Sequence, residues 1–133
     1  MTIDGLITVR SSFGHGETLA RFEAAVRANG LRIVAGVDHA IAALESGVSL
    51  EPTTVLMVGD GACQAELMKA LRLIALELPF KVLVWQEAGG TWLSYVDFRS
   101  LAKRYEAGPE EVRVITDVAV MIDGIARKAG SPP

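Results

Sequence analysis

Two strand-like segments joined by a glycine-rich turn constrain the fold of this chain more than any other feature. Residues 80–87 and 91–97 are rich in aromatic and β-branched side chains, and Ala88-Gly89-Gly90 stands between them. Alternation divides the first segment into an apolar face and a mixed face, which carry Phe80, Val82 and Val84, and Lys81, Leu83, Trp85 and Glu87, respectively. We therefore expect a β-hairpin whose apolar face packs on a core and whose mixed face forms a ligand pocket or a subunit interface.

The rest of the chain alternates between the two hydrophobic periods. Strand patterns cover residues 3–11, 31–37 and 53–58, and helix patterns cover residues 17–29, 39–46, 63–71 and 98–105. A last helix opens at Gly108-Pro109 and stops at Gly130. The order β-α-β-α-β-α-β-β-α-α predicts one compact α+β domain over residues 1–133, with helices packed against a mixed β-sheet. We expect the first few residues and residues 130–133 to fray.

Composition excludes several classes of function. The chain has 133 residues, enough for one domain, with 13 basic and 16 acidic side chains. This balance provides no basic patch for nucleic acid and no polybasic segment for a membrane. There is no signal-like start and no apolar stretch of the ~18 residues that a bilayer span requires. We expect a soluble cytoplasmic protein that binds neither nucleic acid nor membrane.

Three blocks of sequence resemble a known family. They are Val37-Asp38-His39-Ala40, Leu50-Glu51-Pro52-Thr53-Thr54-Val55-Leu56 and Leu78-Pro79-Phe80-Lys81-Val82-Leu83-Val84-Trp85. Together they resemble a widespread prokaryotic family, the domain of unknown function 302, over residues 18–105. The resemblance implies a compact α+β domain and a homodimer, and it leaves the biochemical role open.

The turn after the third strand departs from that resemblance. The family pattern there is similar to Gly-Asn-Pro, a few residues, and then Gly-Thr-Pro-Leu-Met. This chain keeps Gly59 and Leu67-Met68, but has Asp60-Gly61 and Gln64-Ala65-Glu66 in the other places. It also lacks the glycine spacing of a dinucleotide fingerprint and the lysine of a Walker loop. We expect a plain connecting turn, in which any ligand site of the relatives has been altered or lost.

The pair Asp38-His39 is the first candidate for a site. It lies at a predicted helix start, and the resemblance places an Asp-His pair at the same point. His39 is the candidate catalytic acid or base, or a ligand contact, and a helix start also favours a bound anion. The alternative is purely structural, with Asp38 as the helix cap and His39 as the first helical residue.

The mixed strand face supplies the rest of the predicted ligand site. Thr53 and Thr54 open the third strand, and Trp85 and Glu87 lie on the hairpin. Trp85 also matches the family pattern, as does Tyr95. Core packing of these aromatic rings is the alternative.

The sequence does not indicate a metal, a cofactor or a reactive thiol. Cys63 and two histidines do not match a metal-ligand spacing, and a lone cysteine on a helix is usually a small buried hydrophobe. No known nucleophilic, hydrolytic or kinase motif occurs.

Three hypotheses follow. The first is a homodimeric module that binds a small anionic or apolar ligand through Asp38, His39, Thr53, Thr54, Trp85 and Glu87. The second is an enzyme in which His39 works with an acid such as Glu87 or Glu77. The third is an interaction domain without a ligand, in which the hairpin and the last helix pair two subunits. We favour the first, because the sequence contains no recognisable catalytic set.

Overall fold

A computed structural model describes residues 3–59 and 61–133, and it shows a single α+β domain built on a five-stranded sheet. Met1 and Thr2, which belong to the start that we expect to fray, lie outside the described residues, as does Asp60 of the turn after the third strand. The strands are β1 (Leu6–Ser11), β2 (Arg32–Asp38), β3 (Thr53–Gly59), β4 (Phe80–Glu87) and β5 (Gly90–Val96). Their spatial order is β1-β5-β4-β3-β2.

All four strand pairings in the sheet are antiparallel, so the predicted mixed sheet is wrong. The connection from β2 to β3 shows the reason. Its helix, α2 (His39–Glu45), has seven residues and is about 10 Å long, shorter than the strands it joins. The chain leaves α2 at the end of the sheet where β2 stops, and Thr54 of β3 pairs there with Asp38 of β2.

The remaining helices follow the predicted order. They are α1 (His15–Ala28), α3 (Ala62–Ala70), α4 (Leu101–Arg104) and α5 (Pro109–Gly130). Two 3-10 segments, Arg72–Glu77 and Phe98–Ser100, were not predicted as such. Gly130 ends α5 in a buried position, where its carbonyl accepts a hydrogen bond from the Ser12 N–H at 2.8 Å. Among the described residues, no helix combines the length and apolar character needed to cross a bilayer.

The hydrophobic core lies between one face of the sheet and the helices. Phe22 and Val26 of α1 and Ile115 of α5 are fully buried there. From the hairpin, the core takes Phe80, Val82, Val84, Leu93 and Tyr95. The predicted apolar face of residues 80–87 is therefore confirmed. Alternation along both strands leaves the intervening side chains on the opposite face of the sheet.

That opposite face, which we call the open face, is apolar and half-buried at its centre, with Arg10 and Lys81 exposed towards its edges. Leu83 lies at its centre, with Val55 as its cross-strand partner on β3 and Ser94 as its partner on β5. Trp85 and Trp92 form the next cross-strand pair, with ring centroids 5.0 Å apart and an angle of 27° between the ring planes. An antiparallel sheet with one solvated face normally carries polar side chains on that face. The centre of the open face, at Leu83, Trp85 and Trp92, departs from this pattern.

Candidate functional site

The start of α1 is held in place by a set of short hydrogen bonds. The Ser11 and Thr18 hydroxyls lie 2.7 Å apart in the buried interior, and the Thr18 hydroxyl also donates to the Gly14 carbonyl at 2.8 Å. The Phe13 N–H donates to the Ser11 hydroxyl at 3.1 Å. These contacts anchor the first turn of α1 to the end of β1. They give His15, the first residue of the helix, a defined position.

His15 meets the third strand at Thr54. The imidazole Nε2 lies 3.2 Å from the Thr54 hydroxyl, which is 9% exposed. Thr54 is paired across the sheet with Asp38, the last residue of β2. Residues from α1, β2 and β3 therefore converge at one end of the sheet. In the sequence, His15 lies between the strand pattern that ends at residue 11 and the helix pattern that begins at residue 17, and only the folded chain brings it to β3.

Asp38 caps α2, as the sequence predicts. The Ile41 N–H donates to Asp38 Oδ1 at 3.0 Å, and the Asp38 backbone is extended, as is usual for an N-cap. Its carboxylate is thus held at the junction of β2 and α2 by its own backbone geometry.

A cavity of about 330 Å³ opens at this junction, and we call it the α1–α2 cavity. It is lined by His15, Asp38, Ala40, Ile41, Leu44, Ser49, Leu50 and Pro52. Most of the wall is apolar, with the imidazole, the carboxylate and one hydroxyl as polar groups. Its volume and its mostly apolar lining are typical of small-molecule sites.

The predicted site residues divide between two surfaces. Asp38 lines the cavity and Thr54 lies behind His15, but His39 is exposed at the start of α2 and is absent from the lining. Thr53 and Trp85 are cross-strand partners on the open face. Glu87 is exposed at the end of β4. The six residues proposed as one site are therefore not brought together.

Trp85 is anchored within the open face rather than in the core. Its indole N–H donates to the Ser94 hydroxyl at 2.8 Å, and that hydroxyl lies 2.8 Å from the Thr8 hydroxyl. Arg10 lies 5.0 Å from the centre of the Trp92 ring. This row orders the two tryptophans on the surface of the sheet.

A second cavity, of about 700 Å³, lies beside the turn in which the sequence departs from the family pattern. Val34, Gly61, Met68 and Pro79 belong to its mostly apolar lining. Gln64, one of the departing residues, is buried and donates from Nε2 to the Val58 carbonyl at 2.9 Å. Its side chain thus satisfies a backbone carbonyl near the end of β3.

The other titratable candidates have structural partners. Burial raises the pKa of the Cys63 thiol, so little thiolate forms there at neutral pH. Glu77 accepts a hydrogen bond from the Tyr105 hydroxyl at 2.5 Å. Tyr95 donates to Asp123 at 2.5 Å, and burial together with this bond raises the pKa of Tyr95. Within residues 3–59 and 61–133, no three ligating side chains cluster as a metal site would require.

Comparison with known proteins places the chain in context. A family profile described as "Domain of unknown function DUF302" matches residues 7–129. The crystal structure of an uncharacterised conserved DUF302 protein from Bacillus stearothermophilus superposes with a TM-score of 0.88, covering 96% of this chain and 99% of that one. The two sequences are 21% identical, so this similarity concerns the fold alone.

Two curated relatives carry a functional name. They are the fluoride-specific ion channels FluC 1 of Brucella suis biovar 1 (strain 1330) and FluC 2 of Brucella melitensis biotype 1. Each is 34% identical to this chain over 117 residues, which cover 87% of this chain. The aligned part covers 44% of the first relative and 42% of the second. The chain thus spans less than half the length of the curated relatives it matches.

Proposed function

The chain belongs to the DUF302 family, and from that premise we propose that it is a cytoplasmic, homodimeric module that binds a small ligand in the α1–α2 cavity. The observation that carries the proposal is the convergence of His15, Thr54 and Asp38 beside an apolar cavity of about 330 Å³. A few oriented polar groups in an apolar concavity are the usual makeup of a ligand site.

The histidine pair offers a matched test of the ligand site. Native mass spectrometry of freshly purified protein should show a retained small molecule, and His15→Ala should lose it. His39→Ala, which removes an exposed imidazole outside the lining, should retain it. Loss in His39→Ala with retention in His15→Ala would move the site to the α2 start. Absence of any retained molecule from all three proteins would count against ligand binding.

The open face supports the homodimer. Five strands about 4.8 Å apart, with about six residues each, give a face of roughly 24 by 20 Å. This flat area is about 480 Å², and the side chains that stand out from the sheet raise its accessible area towards the ~800 Å² per partner found in stable interfaces. Sheets with apolar faces pack on each other about 10 Å apart, as in sandwiches. A second copy of the chain would cover Leu83, Trp85 and Trp92 in this way.

Oligomeric state measured by light scattering tests the dimer. Leu83→Glu puts a carboxylate at the centre of the open face and should convert the dimer to a folded monomer. Val120→Glu is the matched control, because Val120 is 60% exposed on α5, away from the open face. A dimer that persists in Leu83→Glu would reject this interface, and a wild-type monomer would reject the dimer.

The enzyme hypothesis has less support in the geometry. It needs a carboxylate that orients His39, and within the described residues no carboxylate accepts a hydrogen bond from that imidazole. Glu77 instead accepts a hydrogen bond from Tyr105, and among the described residues Glu87 makes no hydrogen bond with that imidazole. The interaction-domain hypothesis shares the dimer test. It would be favoured if the open face pairs two copies and the cavity retains no ligand.

We propose a second candidate function from the curated relatives. This chain aligns with 42–44% of proteins named fluoride-specific ion channels. Crossing a membrane with helices requires long apolar segments, and the described residues contain none. In this second proposal, the module associates with a membrane ion channel and changes the activity of the channel when the module binds its ligand.

Fluoride efflux from vesicles containing such a channel tests the second candidate. Added protein should change the efflux rate, and the ligand-site variant His15→Ala should change it less. An efflux rate that is the same with and without the protein would reject the companion function and would leave the ligand-binding proposal intact.

A further inference from the structure

The part of the chain that builds most of the α1–α2 cavity carries acidic side chains and no lysine or arginine. The sequence from Ile33 to Met68 contains no lysine or arginine. This stretch builds α2, β3 and all of β2 except its first residue, Arg32, and it supplies every residue of the cavity lining except His15. Asp38 is the one carboxylate in that lining. Among the described residues, the lining contains no lysine or arginine to balance this acid.

Two further carboxylates of this stretch, both outside the lining, add negative charge to it. Glu45 ends α2, and Glu51 lies in the loop before β3, where its Oε2 accepts a hydrogen bond from the Ala88 N–H at 3.1 Å. The start of α1 contributes partial positive charge, about half an elementary charge for a helix end. The full charge of the Asp38 carboxylate exceeds this partial charge, and Glu17 in the first turn of α1 is paired with Arg21 at 3.4 Å. The stretch that supplies most of the lining therefore contributes carboxylates and no lysine or arginine.

The Asp38 carboxylate retains an oxygen for a ligand. Its Oδ1 accepts the capping hydrogen bond from Ile41, and Oδ2 has no hydrogen-bond partner among the described residues. A charged N–H donor makes its strongest hydrogen bonds with such a carboxylate oxygen.

The rest of the cavity requires an apolar ligand body. Ile41 is 60% exposed, Leu44 is 67% exposed and Leu50 is 48% exposed, and all three lie in the lining. Large apolar side chains exposed together around a concavity commonly mark a binding surface. Covering them with a hydrocarbon chain removes that apolar surface from water.

We propose that the α1–α2 cavity binds a small organic cation, an amine with a hydrocarbon body. The ammonium group donates to Asp38 Oδ2, and the hydrocarbon lies on Ile41, Leu44 and Leu50. The inference rests on the proposed ligand-binding function and names the chemical class of its ligand. It favours a cation over the anion that the helix start indicates in the sequence.

Three probes of matched length test the charge preference: hexylamine, hexanol and hexanoate. Each is titrated near neutral pH into ¹⁵N-labelled full-length protein, and amide shifts of His15 and α2 are followed by NMR. We expect hexylamine to bind at least about fivefold more tightly than hexanoate, with hexanol between them, as expected for a partly solvated charge contact. Asp38→Asn keeps a good helix cap and should abolish the preference. Asp117→Asn, which removes an exposed carboxylate from α5, should retain it.

The outcomes separate this inference from the proposed function. Hexanoate binding at the same amides as tightly as hexylamine would overturn the cation preference and leave the ligand site standing. An amine preference that survives Asp38→Asn would overturn the role of Asp38. If none of the probes shifts these amides, both the cation inference and the cavity as a ligand site fail. The wild-type comparison of the three probes does not depend on how any variant folds.

Discussion

His15 and Thr54 lie 39 positions apart in the chain, and their side chains meet with 3.2 Å between the imidazole Nε2 and the threonine hydroxyl. The contact joins the first residue of α1 to the second residue of β3. It also fixes one wall of the α1–α2 cavity, since His15 belongs to the lining and Thr54 is buried behind it. The position of the imidazole in the cavity therefore depends on this bond.

Thr54→Val should lower the free energy of unfolding by about 1 kcal/mol, because it removes a buried hydrogen-bond partner with little change in volume. It should also change the chemical environment of His15. Urea unfolding and the His15 ring NMR signals measure the two effects. Thr53→Val is the control, since that hydroxyl is bonded to the Glu51 carbonyl in an exposed position. An equal response in both variants would contradict a special role for the Thr54 contact.

Asp38→Ala should destabilise the protein by about 1 kcal/mol through loss of the α2 cap. Asp38→Asn should cost only a few tenths of a kcal/mol, because an asparagine side chain also accepts the Ile41 N–H. Thermal and urea unfolding of the two variants provide the comparison. If alanine is tolerated as well as asparagine, the hydrogen bond at the α2 start does not contribute to stability.

Phe80→Ala and Trp85→Ala should separate the two faces of the sheet. Phe80 is 1% exposed, and its truncation should cost about 3–5 kcal/mol. Trp85 is half-buried on the open face, so its truncation should cost the monomer less. In the proposed dimer, Trp85→Ala should instead raise the dissociation constant. A larger loss of monomer stability from Trp85→Ala would show that the open face is part of the core.

Asp123→Asn should change how stability depends on pH. Burial raises the pKa of the Asp123 carboxyl, but hydrogen bonds from Arg127 and Tyr95 outweigh it and hold that pKa below its ordinary value of 3.8. A pKa depressed in the folded state adds stability above the unfolded pKa, and this stability is lost as the pH falls through the folded pKa. The wild type should thus exceed Asp123→Asn in stability at neutral pH, with the difference shrinking under acid.

Urea unfolding over a range of pH measures this difference. Asp117→Asn, at an exposed position on the same helix, is the matched control variant. A constant difference between Asp123→Asn and the wild type down to strongly acidic pH would show that ionisation of Asp123 does not contribute.

The order of elements and the core face were predictable because they depend on local periodicity. Phe80, Val82 and Val84 alternate with less apolar residues, and a strand turns alternate side chains to the same face. The Asp38 cap was predictable for the same reason, since its partner is three residues away. The hairpin followed from the glycines between two strand patterns.

Strand direction and the makeup of the cavity required contacts between distant parts of the chain. The sheet is antiparallel throughout, and strand direction depends on which strands pair, which the periodicity of a single segment does not specify. Thr53 and Thr54 are neighbours in sequence, yet alternation sends them to opposite faces, so one pairs with Trp85 and the other meets His15. Local pattern determined the elements, the core face and the helix cap. Tertiary packing alone decided that His15, and not His39, lies beside Asp38 in the cavity.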